Sequence, residues 1–172
     1  KYKRSQSPYI ILIKMCQAIN DILYKKPNIH FCWTMYNLTC ANVVRNSDTN
    51  KMTDMSYIFI DAPSYTLSQW NKKYPLSEHD WKSIFFQVIY TLYTFNKYLP
   101  GFVHHNLSPD HIYVQKVKSG GQFIYKYGKR TFYLPNNGFV IKIIPSQYSF
   151  VPRIFENVLV YDKNCQFDLG LS

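Results

Sequence analysis

A histidine-rich segment, GFVHHNLSPDHIYV at residues 101–114, holds most of the side chains whose types and spacing could do chemistry. Those side chains are His104, His105, Asn106, Asp110 and His111. Imidazole and carboxylate groups exchange protons and also bind metal ions. A zinc site is one interpretation, but the adjacent His104 and His105 would both have to turn toward the same ion. The segment by itself leaves proton transfer and metal binding open.

The cysteines offer a second possible chemistry. They are Cys16, Cys32, Cys40 and Cys165. Because they form no C-x-x-C pair, the chain has neither zinc-ribbon spacing nor a clear disulfide framework. A Cys165 nucleophile with a histidine base is conceivable, but nothing in the sequence fixes the geometry of such a pair. Reduced thiols in an intracellular protein are the simpler interpretation.

The composition is that of a folded, basic chain. Hydrophobic residues make up 47% of its 172 residues and charged residues only 17%, which excludes a disordered tail. The formal charge of +10 favours acidic partners such as nucleic acid, anionic lipid or an acidic protein surface. No run is apolar enough to span a membrane, and no signal peptide is recognisable. Because the chain starts at Lys1 without Met, we expect it to be a piece of a longer protein.

Aromatic and basic residues are interleaved near residue 130. The aromatic members are Tyr125, Tyr127 and Phe132, and the basic members are Lys126, Lys129 and Arg130. Rings beside cations can stack on bases or meet an acidic partner. This stretch is therefore the best candidate for a binding surface, with a solvated hairpin as the alternative.

The elements that must position these residues can be predicted from periodicity. Residues 9–24 have helical apolar spacing, and aromatic and β-branched residues favour one or two strands over 28–44. The polar residues 45–54 indicate a loop, and Tyr57–Asp61 a short buried strand. The clearest helix is Leu76–Leu99, with Ser77 as its N-cap. Its predicted buried stripe is Trp81, Ile84, Phe85, Val88, Ile89, Leu92 and Tyr93.

Short strands follow the long helix. They are predicted at Ile112–Val117, Phe123–Tyr127, Arg130–Leu134 and Phe139–Ile144. Gly-Gly and Pro-Asn-Asn-Gly turns separate them, which is typical of hairpins. The order of helix, strands, helix and hairpins predicts an α+β fold.

The histidine-rich segment resembles the catalytic loop of protein kinases, H-R-D-L-x-x-x-N. His104 takes the first position and Leu107 the leucine, and Pro109 matches a proline common in this loop. In this respect the chain resembles the serine/threonine kinase-like proteins of large nucleocytoplasmic DNA viruses. Those proteins share an F-x-H-x-D-L-S-P-x-N loop and a Y-L-P-N-x-G-F stretch, here Tyr133–Phe139.

The resemblance implies a partial kinase-like fold. Residues 1–62 would hold the αC helix and the last N-lobe strands up to the hinge, with Asp61 and Ala62 at hinge positions that face the nucleotide. Residues 63–172 would form the first half of the mainly helical C-lobe, with a β-hairpin insertion at 115–138. His104 would be a structural residue of the loop, and Asp168 would match a buried Asp of a later C-lobe helix.

The chain departs from the family where the chemistry is done. Asn106 stands at the catalytic Asp, and an amide is not a useful base. His111 stands at the Asn that binds magnesium, although this hard ion prefers oxygen. Pro145 takes the place of the Asp in Asp-Phe-Gly, and residues 10–19 contain no acid for the αC position. Asp110, one position from the Asn slot, is the possible substitute.

These departures predict a pseudokinase that acts as a binding or scaffold module in a large DNA virus. Its partner would be a protein, with acidic or nucleic-acid contacts through Lys126, Lys129 and Arg130. We expect no cofactor, and a location in the host cytoplasm or the virion. One alternative is an active serine/threonine kinase that uses Mg-ATP and Asp110, and another is a structural virion component.

Overall fold

The fold is built from three helices and seven strands among residues 8–45, 52–61, 63–152 and 154, which are those the computed structural model describes. The helices are α1 (Pro8–Lys25), α2 (Leu67–Lys73) and α3 (Glu78–Tyr98). The strands are β1 (Thr34–Arg45), β2 (Met52–Ile60), β3 (Tyr65–Thr66), β4 (Ile112–Lys116), β5 (Gln122–Tyr127), β6 (Arg130–Pro135) and β7 (Phe139–Ile143). The predicted α+β class is therefore confirmed. No helix in these ranges is long and apolar enough to cross a bilayer.

Three small antiparallel sheets connect the strands. β1 pairs with β2, β4 lies between β3 and β7, and β5 pairs with β6. The predicted hairpin insertion at 115–138 contains β5 and β6, which we call the β5–β6 hairpin. Gly128 at its tip has a φ of 58°, as a type II′ turn requires at its first central residue.

α1 confirms the helix predicted over 9–24. Apolar residues at intervals of three or four, namely Ile11, Met15, Ile19 and Leu23, are buried along one face of it. Asn20 fastens the helix to the start of β1, because its side chain both donates to the Thr34 carbonyl (2.6 Å) and accepts from the Thr34 amide (2.9 Å).

The β1–β2 hairpin differs from its prediction in two ways. The expected strand from residue 28 starts only at Thr34, after a turn. The strand predicted at Tyr57–Asp61 corresponds to the end of β2. The prediction that this strand is buried was wrong, because Tyr57 and Phe59 are exposed. A two-stranded sheet can leave one face in solvent, which aromatic strand formers tolerate. The loop predicted at 45–54 was wrong at both of its ends, because Arg45 belongs to β1 and β2 begins at Met52; residues 46–51 lie outside the described ranges.

α3 begins as predicted, but its buried face matches the predicted stripe only in part. Ser77 accepts from the Asp80 amide at 3.2 Å, and Asp80 accepts from the Ser77 amide at 3.0 Å, which completes a capping box. The predicted apolar stripe was wrong at Phe85 and Ile89, which are 61% and 66% exposed. The prediction was right for Ile84, which is buried, and Trp81, Val88 and Leu92 are partly buried against the core. The other buried residues of the helix were not predicted: Ser83, Gln87, Thr91, Thr94 and Phe95.

Polar residues can occupy the buried face of α3 because their hydrogen bonds are made inside the protein. The Thr91 hydroxyl donates to the Gln87 carbonyl at 2.6 Å, and the Gln87 side chain accepts from the Ile141 amide at 2.9 Å. The second bond ties α3 to β7, the strand that follows the β5–β6 hairpin. Periodicity of apolar residues could not reveal this face.

One hydrophobic cluster joins α1, α2, α3, β4 and β7. Among its most buried members are Met15, Phe31, Ile84, Phe95, Val114, Ile141 and Ile143. The cluster includes residues from both sides of residue 62, where the sequence predicts a division between two lobes. That division stays a prediction.

Candidate functional site

The start of the histidine-rich segment is fixed by a distant part of the chain. Val103 and Phe150 exchange two backbone hydrogen bonds of 2.9 Å in an antiparallel bridge. Gly101 has a φ of 80°, and a Cβ at this position would lie only 2.9 Å from the Cδ atom of Pro152. Glycine is required here by both conformation and space. The end of α3 and the segment after β7 therefore hold the loop between them.

His104 is the buried junction of this arrangement. Its Nε2 donates to the Ile144 carbonyl at 2.9 Å, and its Nδ1 accepts from the Asn106 amide at 3.3 Å. Its own carbonyl accepts from the hydroxyls of Ser146 (2.8 Å) and Ser149 (3.2 Å). Burial lowers the pKa of the His104 imidazole. The ring is neutral and both of its nitrogens are hydrogen-bonded. It therefore holds the backbone in place and is not available to carry a proton.

Asn106 and His111 are brought together by the turn between them. The Asn106 Nδ2 lies 3.2 Å from the His111 Nε2, and the Ser108 Oγ lies 2.9 Å from the His111 Nδ1. A neutral imidazole has one donor and one acceptor nitrogen. If the His111 Nε2 accepts from the Asn106 amide, the His111 Nδ1 donates to the Ser108 hydroxyl. The one lone pair that the neutral ring offers is then occupied by the hydrogen bond from Asn106.

This donor set does not fit magnesium, which the kinase resemblance would require. Mg²⁺ prefers carboxylate and other oxygen ligands, whereas this site offers one Asn106 amide oxygen and an engaged His111 ring. Pro145 is buried and has no side-chain donor, and the Ser146 hydroxyl donates to a backbone carbonyl. The nearby carboxylate, Asp110, is exposed and is not part of the Asn106–His111 pair. Within the described ranges, no three His, Cys, Asp or Glu side chains form a metal-binding group.

Asp61, predicted at the hinge, is bound to strand β7. Its Oδ2 lies 2.6 Å from the Lys142 Nζ, and this buried ammonium also donates to the Phe31 carbonyl at 3.4 Å. Cys32 lies beside this pair, and burial raises the pKa of its thiol to about 12. Such a thiol is not a nucleophile near neutral pH. Ala62, the other predicted hinge residue, lies outside the described ranges.

The basic residues of the β5–β6 hairpin are exposed, but one of the rings beside them is not. Lys126, Lys129 and Arg130 face solvent. Tyr125, predicted as part of the binding surface, is only 3% exposed, and its hydroxyl lies 3.1 Å from the Nε2 of His30. That prediction was wrong for Tyr125, because its ring anchors the hairpin to the protein interior.

Sequence reasoning missed two buried polar residues. Lys142 interrupts an otherwise apolar strand, FVIKI, and a charge at such a position could have signalled a buried partner. His30, also buried, lies in an irregular segment with no such signal. Cys165 and Asp168, both considered from the sequence, are outside the described ranges.

No protein-family model matches this chain, and none of the curated proteins matches it.

Proposed function

We propose that this chain is a kinase-like binding module that does not transfer phosphate. The order of its elements supports this assignment: a helix, an antiparallel hairpin, two further helices, a histidine-containing loop, and an antiparallel strand pair interrupted by a hairpin. This is the order that the kinase resemblance predicts around residues 101–114. The loop is also held between the end of α3 and the segment after β7.

The observation that carries the proposal is the contact between Asn106 and His111. The resemblance places these residues at the catalytic base and at a metal ligand. Their side chains are hydrogen-bonded to each other at 3.2 Å, and neither supplies a carboxylate. Phosphoryl transfer depends on a positioned nucleophile and on neutralised phosphate charge. A site without the base and without a magnesium ligand provides neither.

The ion pair between Asp61 and Lys142 also argues against a nucleotide. It joins the predicted hinge segment to β7, the strand that leads to Pro145. The Lys142 side chain crosses between these two segments, where the resemblance would put the nucleotide. The exposed surface of the protein is therefore the better candidate for partner contacts.

Two assays test the proposal. A thermal-shift titration with Mg-ATP should leave the unfolding temperature unchanged, because no carboxylate at the site is placed to bind the ion. Incubation with ATP labelled at the γ-phosphate and a generic acceptor protein should give no labelled product. Labelled product that is lost in Asp110→Ala but retained in Asp54→Ala would overturn the proposal, because it would establish an active kinase that uses Asp110.

Location and assembly form the remaining part of the proposal. We propose a viral protein of the host cytoplasm or virion, in line with the resemblance. Purified particles would contain it in a fixed stoichiometric ratio to the capsid protein if its role were structural packing. A sub-stoichiometric or absent signal would instead agree with a binding module.

A further inference from the structure

An apolar cavity of about 190 Å³ lies between α3 and the β5–β6 hairpin. Its lining residues are Phe86, Ile89, Tyr90, Tyr93, Tyr127 and Phe132, and we call it the α3–hairpin groove. Ile89 and Tyr127 are strongly exposed at its mouth. Concave surfaces lined by apolar and aromatic side chains are the usual form of a binding site.

The walls of the groove are fixed before any partner arrives. Tyr125 projects from the hairpin into the interior, where its ring packs 5.0 Å from Phe86 and 4.7 Å from Tyr90, measured between ring centroids. The Tyr90 hydroxyl donates to the Lys126 carbonyl at 3.4 Å. A partner would therefore bind to a preorganised surface, which lowers the entropy cost of association.

The charge around the groove is mainly positive. The two segments that form its walls, residues 81–98 and 115–138, contain no Asp or Glu, although Glu78 at the start of α3 pairs with Lys82 at 2.7 Å and Asp80 accepts from the Asn137 side chain at 2.9 Å. Their basic residues are Lys82, Lys97, Lys116, Lys118, Lys126, Lys129 and Arg130. A partner with acidic residues around an apolar contact would complement this surface.

Strand pairing shows which hairpin cation belongs to the groove. Arg130 lies directly opposite Tyr127 in the register of the hairpin, so both are on the face that lines the groove. Lys126 is opposite Thr131 and lies on the other face. Lys97 follows Tyr93 by one helical turn. Neither Arg130 nor Lys97 forms an ion pair with any residue in the described ranges.

The shape of the groove favours a protein partner over nucleic acid. Bases stack on exposed, parallel ring faces. Across the groove the helix rings tilt against the hairpin rings, by 57° between Phe86 and Phe132 and by 58° between Tyr93 and Tyr127, whereas Phe86 and Tyr90 along α3 are nearly parallel at 8°. They form a concave wall into which an apolar side chain can be inserted.

We propose that the α3–hairpin groove binds an acidic, amphipathic protein segment. An apolar side chain of that segment enters the cavity beside Ile89, and its carboxylates lie against Arg130 and Lys97. This inference deepens the binding role proposed above and rests on it only for the existence of a protein partner. It does not depend on whether the loop at 101–114 transfers phosphate.

The test uses a fluorescein-labelled synthetic helix with Leu on one face and Glu on the other, and measures binding by anisotropy. Ile89→Glu should weaken binding roughly tenfold, as expected for loss of an anchor contact. Phe85→Glu is the matched control, because Phe85 is 61% exposed on the same helix but does not line the groove. Arg130→Glu should weaken binding more than Lys126→Glu, which makes the same charge change on the opposite face. Circular dichroism checks that each variant is folded.

Several results would overturn the inference. They are the absence of binding, equal effects of the groove and control substitutions, and equally tight binding of a peptide with Lys in place of Glu. The inference would also be overturned if oligo(dT) bound more tightly than the Leu/Glu helix and Ile89→Glu abolished that binding, because the groove would then be a nucleic-acid site. Phosphate transfer is read in a separate assay, so failure here is distinguishable from failure of the proposed function.

Discussion

Lowering the pH should destabilise the protein through His30. The ring of His30 is 1% exposed, its Nδ1 donates to the Ile141 carbonyl at 2.7 Å, and its Nε2 accepts from the Tyr125 hydroxyl at 3.1 Å. Protonation of Nε2 would remove the acceptor of the Tyr125 hydroxyl and leave a positive charge buried in the protein. Burial, assisted by the nearby Lys142 ammonium, lowers the pKa of His30 to about 4, although the bond to the Ile141 carbonyl opposes this.

The sign and size of the effect follow from proton linkage. The folded-state pKa of about 4 lies below the ordinary value for an exposed histidine, about 6.5. As the pH falls, the unfolded chain therefore takes up the proton first, and stability is lost between these two values. Between pH 7 and pH 5 the linkage relation gives a loss of about 2 kcal/mol in the free energy of unfolding from His30 alone.

Urea unfolding followed by tryptophan fluorescence at several pH values measures this loss. His30→Gln removes the titrating group, so the wild type should lose about 2 kcal/mol more than this variant between pH 7 and pH 5. Carboxylates and the other histidines are present in both proteins, and their contributions cancel. His79→Gln, which replaces an exposed histidine, should keep the wild-type profile. Parallel profiles for the wild type and His30→Gln would refute the reasoning.

Three further substitutions test the supports of the candidate site by urea unfolding. Ser77→Ala should cost about 1 kcal/mol by removing the α3 cap, and no change in the unfolding midpoint would contradict this. Gln87→Leu should cost about 1–3 kcal/mol because it leaves the buried Ile141 amide without its acceptor; a neutral effect would mean that the amide finds another partner. Gly101→Ala should cost about 1–3 kcal/mol through its left-handed conformation and its contact with Pro152, and a stabilised variant would refute that account.

Element types were predictable because their signals are local. The cap at Ser77, the spacing of apolar residues in α1 and the turn residues around the β5–β6 hairpin all act over a few positions. The predicted strand Arg130–Leu134 therefore differs from β6 by one residue. The resemblance of residues 101–114 to a kinase loop is also a property of consecutive residues, and the kinase assignment remains a proposal.

The candidate site was less predictable, because it depends on partners far apart in the chain. Asn106 and His111 were singled out from the sequence, but only the folded loop brings their side chains to 3.2 Å. Asp61 was assigned to a hinge, and its ion pair with Lys142 joins residues separated by 81 positions. No periodicity reports such a contact.

The sequence by itself determined where the histidine-rich segment is, which elements flank it, and that an amide and not a carboxylate stands at Asn106. Only the tertiary structure decided which faces of those elements are buried. Phe85 and Ile89 are exposed while Gln87 is inside, where its side-chain oxygen accepts from the Ile141 amide of β7. The pairing of β5 with β6 places Tyr125 and Arg130 on the same face of the hairpin, and the packing of that face on α3 buries Tyr125. Burial depends on what packs against a residue, and that partner is set by the fold and not by neighbours in sequence.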